Sequence, residues 1–294
     1  MNGNSPWSER GNRDDGSMAG RKTVRLVLST TLILTLAAVA IIVWLALRGD
    51  DETEEFDAAK AGELASIEPW AAVHASEAAI WKFRYLAGTH EGAPREATGL
   101  LAVPRGGATL GLIGYAHGTT GIERRCAPSA RGETSVDDGG GVAEAVERGW
   151  AVVMPDYAGL GSDGVHGYLV GEQAARDLLD AIRAVRSWQK LQAPPRTVLW
   201  GQSQGGHAAL WAAQRAAEYA PSLKVEAAAA TAPPSDLAAV FAANADDRAL
   251  LRVHGYLLAS WSRFYPDAGL EQQLGARLAT VEAIAERCGF EPPS

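Results

Sequence analysis

The sequence has few residues of the kinds that bind metals or nucleic acids. It contains two cysteines and six histidines, and they are not spaced as metal ligands, so we predict neither a metal site nor a cofactor. Lysine and arginine number 27 against 35 aspartate and glutamate residues, which gives a net charge of −8. This negative balance argues against a nucleic-acid partner.

The two cysteines, Cys126 and Cys288, leave two alternatives open. They could form a disulfide in an oxidising compartment. Otherwise they are two buried thiols, or one of them lacks its partner, and the sequence favours neither alternative over the disulfide.

Strand-like runs are absent between Asp236 and Ser294, where apolar residues instead recur at helical spacing. Ser235 can cap a short helix that runs to about Asn244. We therefore predict that residues 235–294 begin a helical cap laid over a sheet. Its two helical stripes are Leu250, His254, Leu257, Leu258 and Trp261, and Leu270, Leu274, Leu278 and Val281.

One long apolar run is present near the N-terminus. Leu26 to Leu47 carries no charge and, as a helix, is long enough to cross a bilayer core. Basic residues precede this run and acidic residues follow it, which predicts a cytoplasmic N-terminus and an extracellular remainder. We therefore predict a single-pass protein of the cell membrane. The alternative is a secreted protein with a cleaved signal peptide, although the only small-x-small triplet, Ala38-Val39-Ala40, lies inside the run.

The anchor divides the chain into segments of different character. We predict a disordered cytoplasmic tail at residues 1–22, a transmembrane anchor at 23–48 and an acidic linker at 49–68. About 230 residues remain, which is enough for one large core. We assign this core to residues 69–234, followed by the cap.

Strands alternate with helices through the predicted core. The first two strands form an antiparallel hairpin, and the later alternation predicts a mostly parallel sheet that helices cover on both faces. Ligands bind such sheets at the carboxyl ends of the strands, where three Gly-rich loops would meet. The predicted strands are Ile80–Ala87, Ala97–Val103, Leu110–Tyr115, Trp150–Met154, Thr197–Trp200 and Lys224–Thr231, and the predicted helices are 142–148, 170–191 and 208–219.

A Gly-x-Ser-x-Gly motif, residues 201–205, joins the fifth predicted strand to a predicted helix. Strand, motif and helix in this order form the nucleophile elbow of serine hydrolases. The glycines permit a turn so sharp that the serine hydroxyl projects from the edge of the sheet. We therefore predict Ser203 as a catalytic nucleophile and the backbone N–H of Gln204 as an oxyanion donor. The alternative is a Gly-rich turn with no chemical role.

A second Gly-rich motif, residues 117–121, directly follows the third predicted strand. In hydrolases with this elbow, a His-Gly loop at that position supplies another oxyanion N–H. Thr119 and Thr120 are therefore the candidate donors, and their hydroxyl groups could add a further hydrogen bond. The alternative is a simple Gly-rich turn.

Six short motifs occur along the chain in a fixed order. They are Tyr115-x-His117-Gly118-Thr119-Thr120-Gly121, Cys126-Ala127-Pro128-Ser129, Pro155-Asp156-Tyr157-x-Gly159-Leu160-Gly161, His166-x-Tyr168, Gly201-x-Ser203-Gln204-Gly205-Gly206 and Ala232-Pro233-Pro234-x-Asp236-Leu237. Over roughly residues 70–290 this set resembles the secretory lipase family, which includes yeast lipase-A-like and actinobacterial lipases. The resemblance implies an α/β-hydrolase fold with a helical cap inserted after the sixth strand. It also implies hydrolysis of carboxylic esters of fatty acids at Ser203, with oxyanion donors near Thr119 and Thr120 and at Gln204.

A serine hydrolase also needs a histidine base and a carboxylate, and the sequence does not identify them. Only His207 and His254 follow Ser203, and we expect the first on a helix surface and the second packed in a cap helix. Asp156 precedes the serine and is predicted to be structural. The resemblance places the family's Asp and His after the cap, beyond residue 294, so we expect a hydrolase truncated before its last strands.

Two functions of different class fit these features. The first is a serine carboxylic-ester hydrolase, foremost a lipase, that acts on lipid or another acyl ester through an acyl-Ser203 intermediate. The second is a catalytically inactive hydrolase-fold domain that binds a lipid or a partner through its cap. A serine peptidase is an alternative chemistry, because α/β peptidases also contain Gly-x-Ser-x-Gly elbows.

Overall fold

The computed structural model describes residues 60–70, 78–89, 92–106, 109–131, 141–243 and 248–289. All of them belong to one unit, Glu55–Ser294. The predicted tail at 1–22 and the predicted anchor at 23–48 lie outside the described residues. Within the ranges given, no helix combines the length and the apolar character that a bilayer crossing requires.

Seven strands form one mixed sheet in the order β1-β2-β3-β5-β4-β6-β7. The first three are antiparallel, β3 also runs antiparallel to β5, and the four strands from β5 to β7 in this order are parallel. The prediction of a mostly parallel sheet therefore holds for four of the seven strands. The strands are β1 Leu64–Pro69, β2 Ala78–Ala87, β3 Arg95–Pro104, β4 Leu112–Ala116, β5 Ala151–Pro155, β6 Arg196–Gln202 and β7 Lys224–Thr231.

Strand β1 corrects the predicted linker, which was assigned to residues 49–68. Leu64–Pro69 pairs antiparallel with β2, and Ile67 lies opposite Phe83 in the register. Leu64 and Ile67 are half-buried against the core, so this segment belongs to the sheet. The acidic residues around it give the sequence the character of a linker, although the apolar residues between them are packed.

Helices cover both faces of the sheet. Helix α1 packs on one face beside β3, β4 and β5, whereas α2 and α3 pack together on the other face. Consecutive residues of β4, Leu112 and Ile113, point into these two separate apolar clusters, as the alternation of a strand buried on both sides requires. The helices are α1 Val142–Glu147, α2 Gly171–Arg186, α3 Gln204–Tyr219, α4 Leu237–Ala243, α5 Arg248–Phe264, α6 Leu270–Leu274 and α7 Leu278–Ala285.

Residues 237–243 and 248–289, as far as the structure describes them, contain four α-helices, α4 to α7, and no strand. We refer to these four helices as the cap. Helix α5 packs on α7, and both cover Tyr168, Leu169 and Ile122, which lie in loops of the core. The first cap helix begins differently from the prediction, because Asp236 rather than Ser235 provides the capping group: its Oδ1 accepts a hydrogen bond of 2.9 Å from the backbone N–H of Ala239. The second predicted stripe is divided between α6 and α7 by a short 3₁₀ turn.

A disulfide joins the cap to the core. Cys126 follows the loop after β4, Cys288 follows α7, and their Cα atoms are 5.2 Å apart. The disulfide alternative is thus confirmed, and the bond connects residues 162 positions apart in sequence.

Candidate active site

Ser203 lies at the turn between β6 and α3. Its backbone has φ 55° and ψ −120°, a combination that L-residues rarely adopt and that recurs at functional sites. Two backbone hydrogen bonds hold the turn: the Ser203 N–H donates to the Thr231 carbonyl at 2.9 Å, and the His207 N–H donates to the Ser203 carbonyl at 3.0 Å. Ser203 is exposed, whereas Gln204 immediately after it is buried.

Steric crowding explains the glycines beside the serine. A Cβ atom at Gly201 would lie 2.1 Å from the Gly205 carbonyl oxygen, and one at Gly205 would lie 1.7 Å from the carbonyl oxygen of Ala116. Both distances are far shorter than a carbon–oxygen contact allows. The motif therefore brings the start of α3 directly against the carboxyl end of β4.

The loop after β4 lies beside this turn. Ala116 is paired with Gly201 in the parallel register of β4 and β6, so the 117–121 loop starts where the elbow starts. A Cβ at Gly118 would contact the Gln202 carbonyl oxygen at 3.5 Å, which places the loop next to the end of β6. Gln204 is the first residue of α3, and its backbone N–H belongs to the first turn, whose donors have no acceptor within the helix.

The two threonines of this loop are held by different parts of the molecule. The Thr119 Oγ1 forms a 2.6 Å hydrogen bond with the Tyr168 hydroxyl. The Thr120 carbonyl accepts a hydrogen bond of 2.7 Å from the Gly289 N–H, next to the disulfide. Thr120 Oγ1 is buried and has no hydrogen-bond partner among the described residues. The structure thus brings Ser203, Gln204 and the predicted threonine loop to one edge of the sheet.

Buried polar groups beneath the site tie the strand-end loops together. Tyr157 has a positive φ of 72°, and its hydroxyl donates to the His117 carbonyl at 3.0 Å. Asp156 is fully buried and accepts hydrogen bonds from the Thr98 hydroxyl at 2.5 Å and from the Ser129 N–H at 2.9 Å. These contacts are those expected of the structural residue that the sequence predicts at Asp156.

His166 contacts the side chain of Gln204, the residue after Ser203, and was not among the predicted site residues. Its Nε2 lies 3.1 Å from the Gln204 side-chain nitrogen, and its Nδ1 lies 3.4 Å from the Ala158 carbonyl. Burial, together with the nearby His117, lowers the His166 pKa to about 3, so the ring is neutral at pH 7 and its Nε2 accepts from the Gln204 amide. The sequence offered His166-x-Tyr168 as a motif without indicating these contacts.

The two histidines downstream of the serine have other contacts. His207 packs on its helix, as predicted: it is buried, and its Nδ1 lies 3.2 Å from the Pro234 carbonyl. Burial lowers the pKa of His207. His254 packs against Phe241, with 4.5 Å between ring centroids, as expected for a residue of a cap helix. Among the described residues, neither ring is hydrogen-bonded to the Ser203 hydroxyl.

A cavity of about 180 Å³ lies beside His166, between loops of the core and residues Ser260 and Arg263 of α5. Ser162 and Ser260 contribute hydroxyl groups to its wall, and both hydroxyls are already hydrogen-bonded, to the Gly159 N–H and to the His166 carbonyl. The Arg263 guanidinium on the cavity wall pairs with Glu123 at 3.0 Å. Among the described residues, no group of three His, Cys, Asp or Glu side chains is placed to hold a metal ion.

Comparison with known proteins relates this arrangement to lipases. The family model named secretory lipase matches residues 133–290. A probable inactive lipase of Mycobacterium tuberculosis is 33% identical over 167 residues, which cover 52% of this chain and 34% of that protein. Lipase A of Moesziomyces aphidis is 33% identical over 81 residues, 28% of this chain and 17% of the relative. The chain thus spans about one third or less of the length of these relatives.

Solved structures show the same fold. Lipase A of Candida antarctica in its closed state superposes with a TM-score of 0.64 at 22% identity, over 78% of this chain and 56% of that one. The rice cell wall degrading esterase LipA from Xanthomonas oryzae gives 0.65 at 23% identity, over 77% and 67%. The predicted α/β-hydrolase fold is confirmed by these superpositions.

Proposed function

Because the chain belongs to the secretory lipase family, we propose that it is a serine carboxylic-ester hydrolase that cleaves fatty-acyl esters, foremost a lipase. The observation that carries this proposal is the exposed Ser203 at φ 55°, between two glycines that leave no room for a side chain. A sterically enforced turn presents one hydroxyl group at the strand ends, and the buried polar groups beneath it keep that turn in place.

In the proposed reaction, the Ser203 Oγ attacks the acyl carbonyl carbon, and a base takes the hydroxyl proton. The carbonyl oxygen becomes an oxyanion that the Gln204 N–H and a donor from Thr119 or Thr120 stabilise. The alcohol then leaves with a proton, and water releases the acid from the acyl-Ser203 intermediate. We assign the base and its carboxylate partner to none of the described residues.

A fluorophosphonate probe tests the nucleophile on the purified full chain. We expect covalent labelling of the native protein and none of the Ser203→Ala variant, because the phosphonate captures an activated serine hydroxyl. Hydrolysis of a p-nitrophenyl ester should be lost in the same variant. Equal labelling of both proteins would contradict the assignment of Ser203. Cleavage of a peptide anilide but not of the ester would favour the peptidase alternative.

The second candidate is a catalytically inactive hydrolase-fold domain that binds an acyl ligand. It is favoured by the similarity to a mycobacterial protein described as a probable inactive lipase, and by the other contacts of His207 and His254. Under this alternative, the native chain and Ser203→Ala bind a fluorescent fatty-acid analogue equally and neither turns over an ester.

We also propose that residues 23–48 anchor the chain in the cell membrane and that the hydrolase domain lies outside the cell. Digestion of the domain by a protease added to intact cells would test this proposal.

A further inference from the structure

We propose that Tyr168 is a positioning residue that orients the Thr119 hydroxyl toward the oxyanion and connects it to the cap helix α5. This inference rests on the proposed function at Ser203. Tyr168 lies 49 positions after Thr119 in sequence, yet their hydroxyl oxygens are 2.6 Å apart. No prediction from the sequence assigns Tyr168 a role.

The hydrogen bond has a preferred direction. Tyr168 is only 1% exposed, and Thr119 is the hydrogen-bond partner of its hydroxyl among the described residues. A phenol is a better donor and a poorer acceptor than an aliphatic hydroxyl, and a buried hydroxyl proton needs an acceptor. Tyr168 therefore donates to Thr119 Oγ1, and the single proton of the Thr119 hydroxyl is left to point elsewhere.

The backbone of Tyr168 is held by the cap on both sides. Its N–H donates to the Ser260 hydroxyl at 2.9 Å, and its carbonyl accepts from the Trp261 indole N–H at 2.9 Å. The ring also packs edge-on against Tyr256, at 6.1 Å between centroids. All three of these partners belong to α5, so the position of this helix is transmitted through one side chain to Thr119.

Preorganised donors lower the barrier of acyl transfer because they need no reorientation when the oxyanion forms. A Thr119 hydroxyl without its Tyr168 bond rotates among its staggered positions and spends less time directed at the substrate. Loss of Tyr168 should therefore reduce kcat and leave KM unchanged, since the substrate in its ground state carries no oxyanion.

A double-mutant cycle on the full chain tests this inference with a short-chain p-nitrophenyl ester. Thr119→Val, which loses the hydroxyl, should lower kcat about 100-fold, and Tyr168→Phe about tenfold, both with unchanged KM. If Tyr168 acts only through Thr119, the double variant has the kcat of Thr119→Val alone. Tyr85→Phe is the matched control, because it removes a buried tyrosine hydroxyl that bonds to the Asp177 carbonyl at 2.9 Å rather than to Thr119. This control should keep the native kcat.

The outcomes distinguish failure of the role of Tyr168 from failure of the proposed function. A native kcat for Tyr168→Phe, or losses that multiply in the double variant, would overturn the role of Tyr168 while the proposed function stands. Native turnover no faster than that of Ser203→Ala would remove the proposed function, and this inference with it. If Tyr168→Phe does not fold, Trp261→Phe removes the indole bond to the Tyr168 carbonyl, and an unchanged kcat there would overturn the connection to the cap.

Discussion

At the scale of single residues, the elbow depends on the absence of a side chain at Gly205. We expect Gly205→Ala to lower the free energy of unfolding by about 3 kcal/mol or more, because its Cβ would lie 1.7 Å from a backbone oxygen of β4 that cannot move aside. Gly118→Ala is the matched control, since its Cβ meets the Gln202 carbonyl oxygen at 3.5 Å, an ordinary contact. Its unfolding free energy should stay within about 0.5 kcal/mol of the native value. Urea unfolding measures both, and equal stabilities of the two variants would contradict this steric account.

His166 should make the stability of the protein depend on pH. Burial and the neighbouring His117 lower its pKa from 6.5 to about 3, so the unfolded chain binds a proton that the folded chain excludes. The contribution of the neutral ring is therefore complete above about pH 6.5 and is lost as the pH falls toward 3. Between pH 7 and 5, the native protein should lose about 2 kcal/mol more stability than His166→Gln. Urea unfolding at each pH measures both proteins. If their free energies of unfolding fell equally between pH 7 and 5, His166 would not be buried as a neutral ring.

At the scale of elements, local patterns predicted most strands and helices. Strand β7 and helix α1 agree with their predictions within one residue, and the turn-forming Pro233 and Pro234 follow the end of the strand. Helix α2 ends at Arg186 rather than near residue 191. The Arg186 guanidinium donates to the Pro194 and Arg196 carbonyls, and these bonds hold the chain that turns back after the helix. The apolar spacing that predicts a helix does not show such contacts between a side chain and the chain that follows the helix.

The sequence likewise predicts only the part of the candidate site that a local pattern marks. The Ser203 turn could be predicted because the glycines that its close packing requires lie within five consecutive residues. Tyr168 and His166 could not be assigned, because their roles arise from contacts with Thr119 and Gln204 that join separate loops. The sequence gives the identity of each side chain, whereas the order of the strands in the sheet determines which side chains come into contact.

The start of helix α4 provides a test of one such correction. Asp236→Ala removes the Oδ1 that accepts the Ala239 N–H, so it should destabilise the protein by about 1 kcal/mol, the usual effect of losing a helix cap. Ser235→Ala is the matched control and should have no effect beyond about 0.5 kcal/mol. Urea unfolding of both variants would decide between the two capping residues, and a larger loss for Ser235→Ala would restore the original assignment.

At the scale of the whole molecule, the cap is attached to the core near the predicted oxyanion loop. The Cys126–Cys288 bond lies beside a hydrogen bond from the Gly289 N–H to the Thr120 carbonyl. The Tyr256 hydroxyl, on α5, bonds to the carbonyl of Gly289 at 3.0 Å. Cap and loop are therefore connected both at Thr120 and, through Tyr168, at Thr119.

Removing the disulfide should destabilise the whole fold, since it closes a loop between residues 162 positions apart. A cross-link over so long a loop restricts the unfolded chain strongly, and we expect its loss to cost about 3–5 kcal/mol. The Cys126→Ser/Cys288→Ser variant should unfold at lower urea concentration than the native protein. Dithiothreitol should shift the native curve to that of the variant and leave the variant unchanged, which separates loss of the bond from the effect of the serines. A native curve that dithiothreitol does not shift, although thiol titration shows complete reduction, would mean that the Thr120 and Tyr168 contacts hold the cap without a covalent bond.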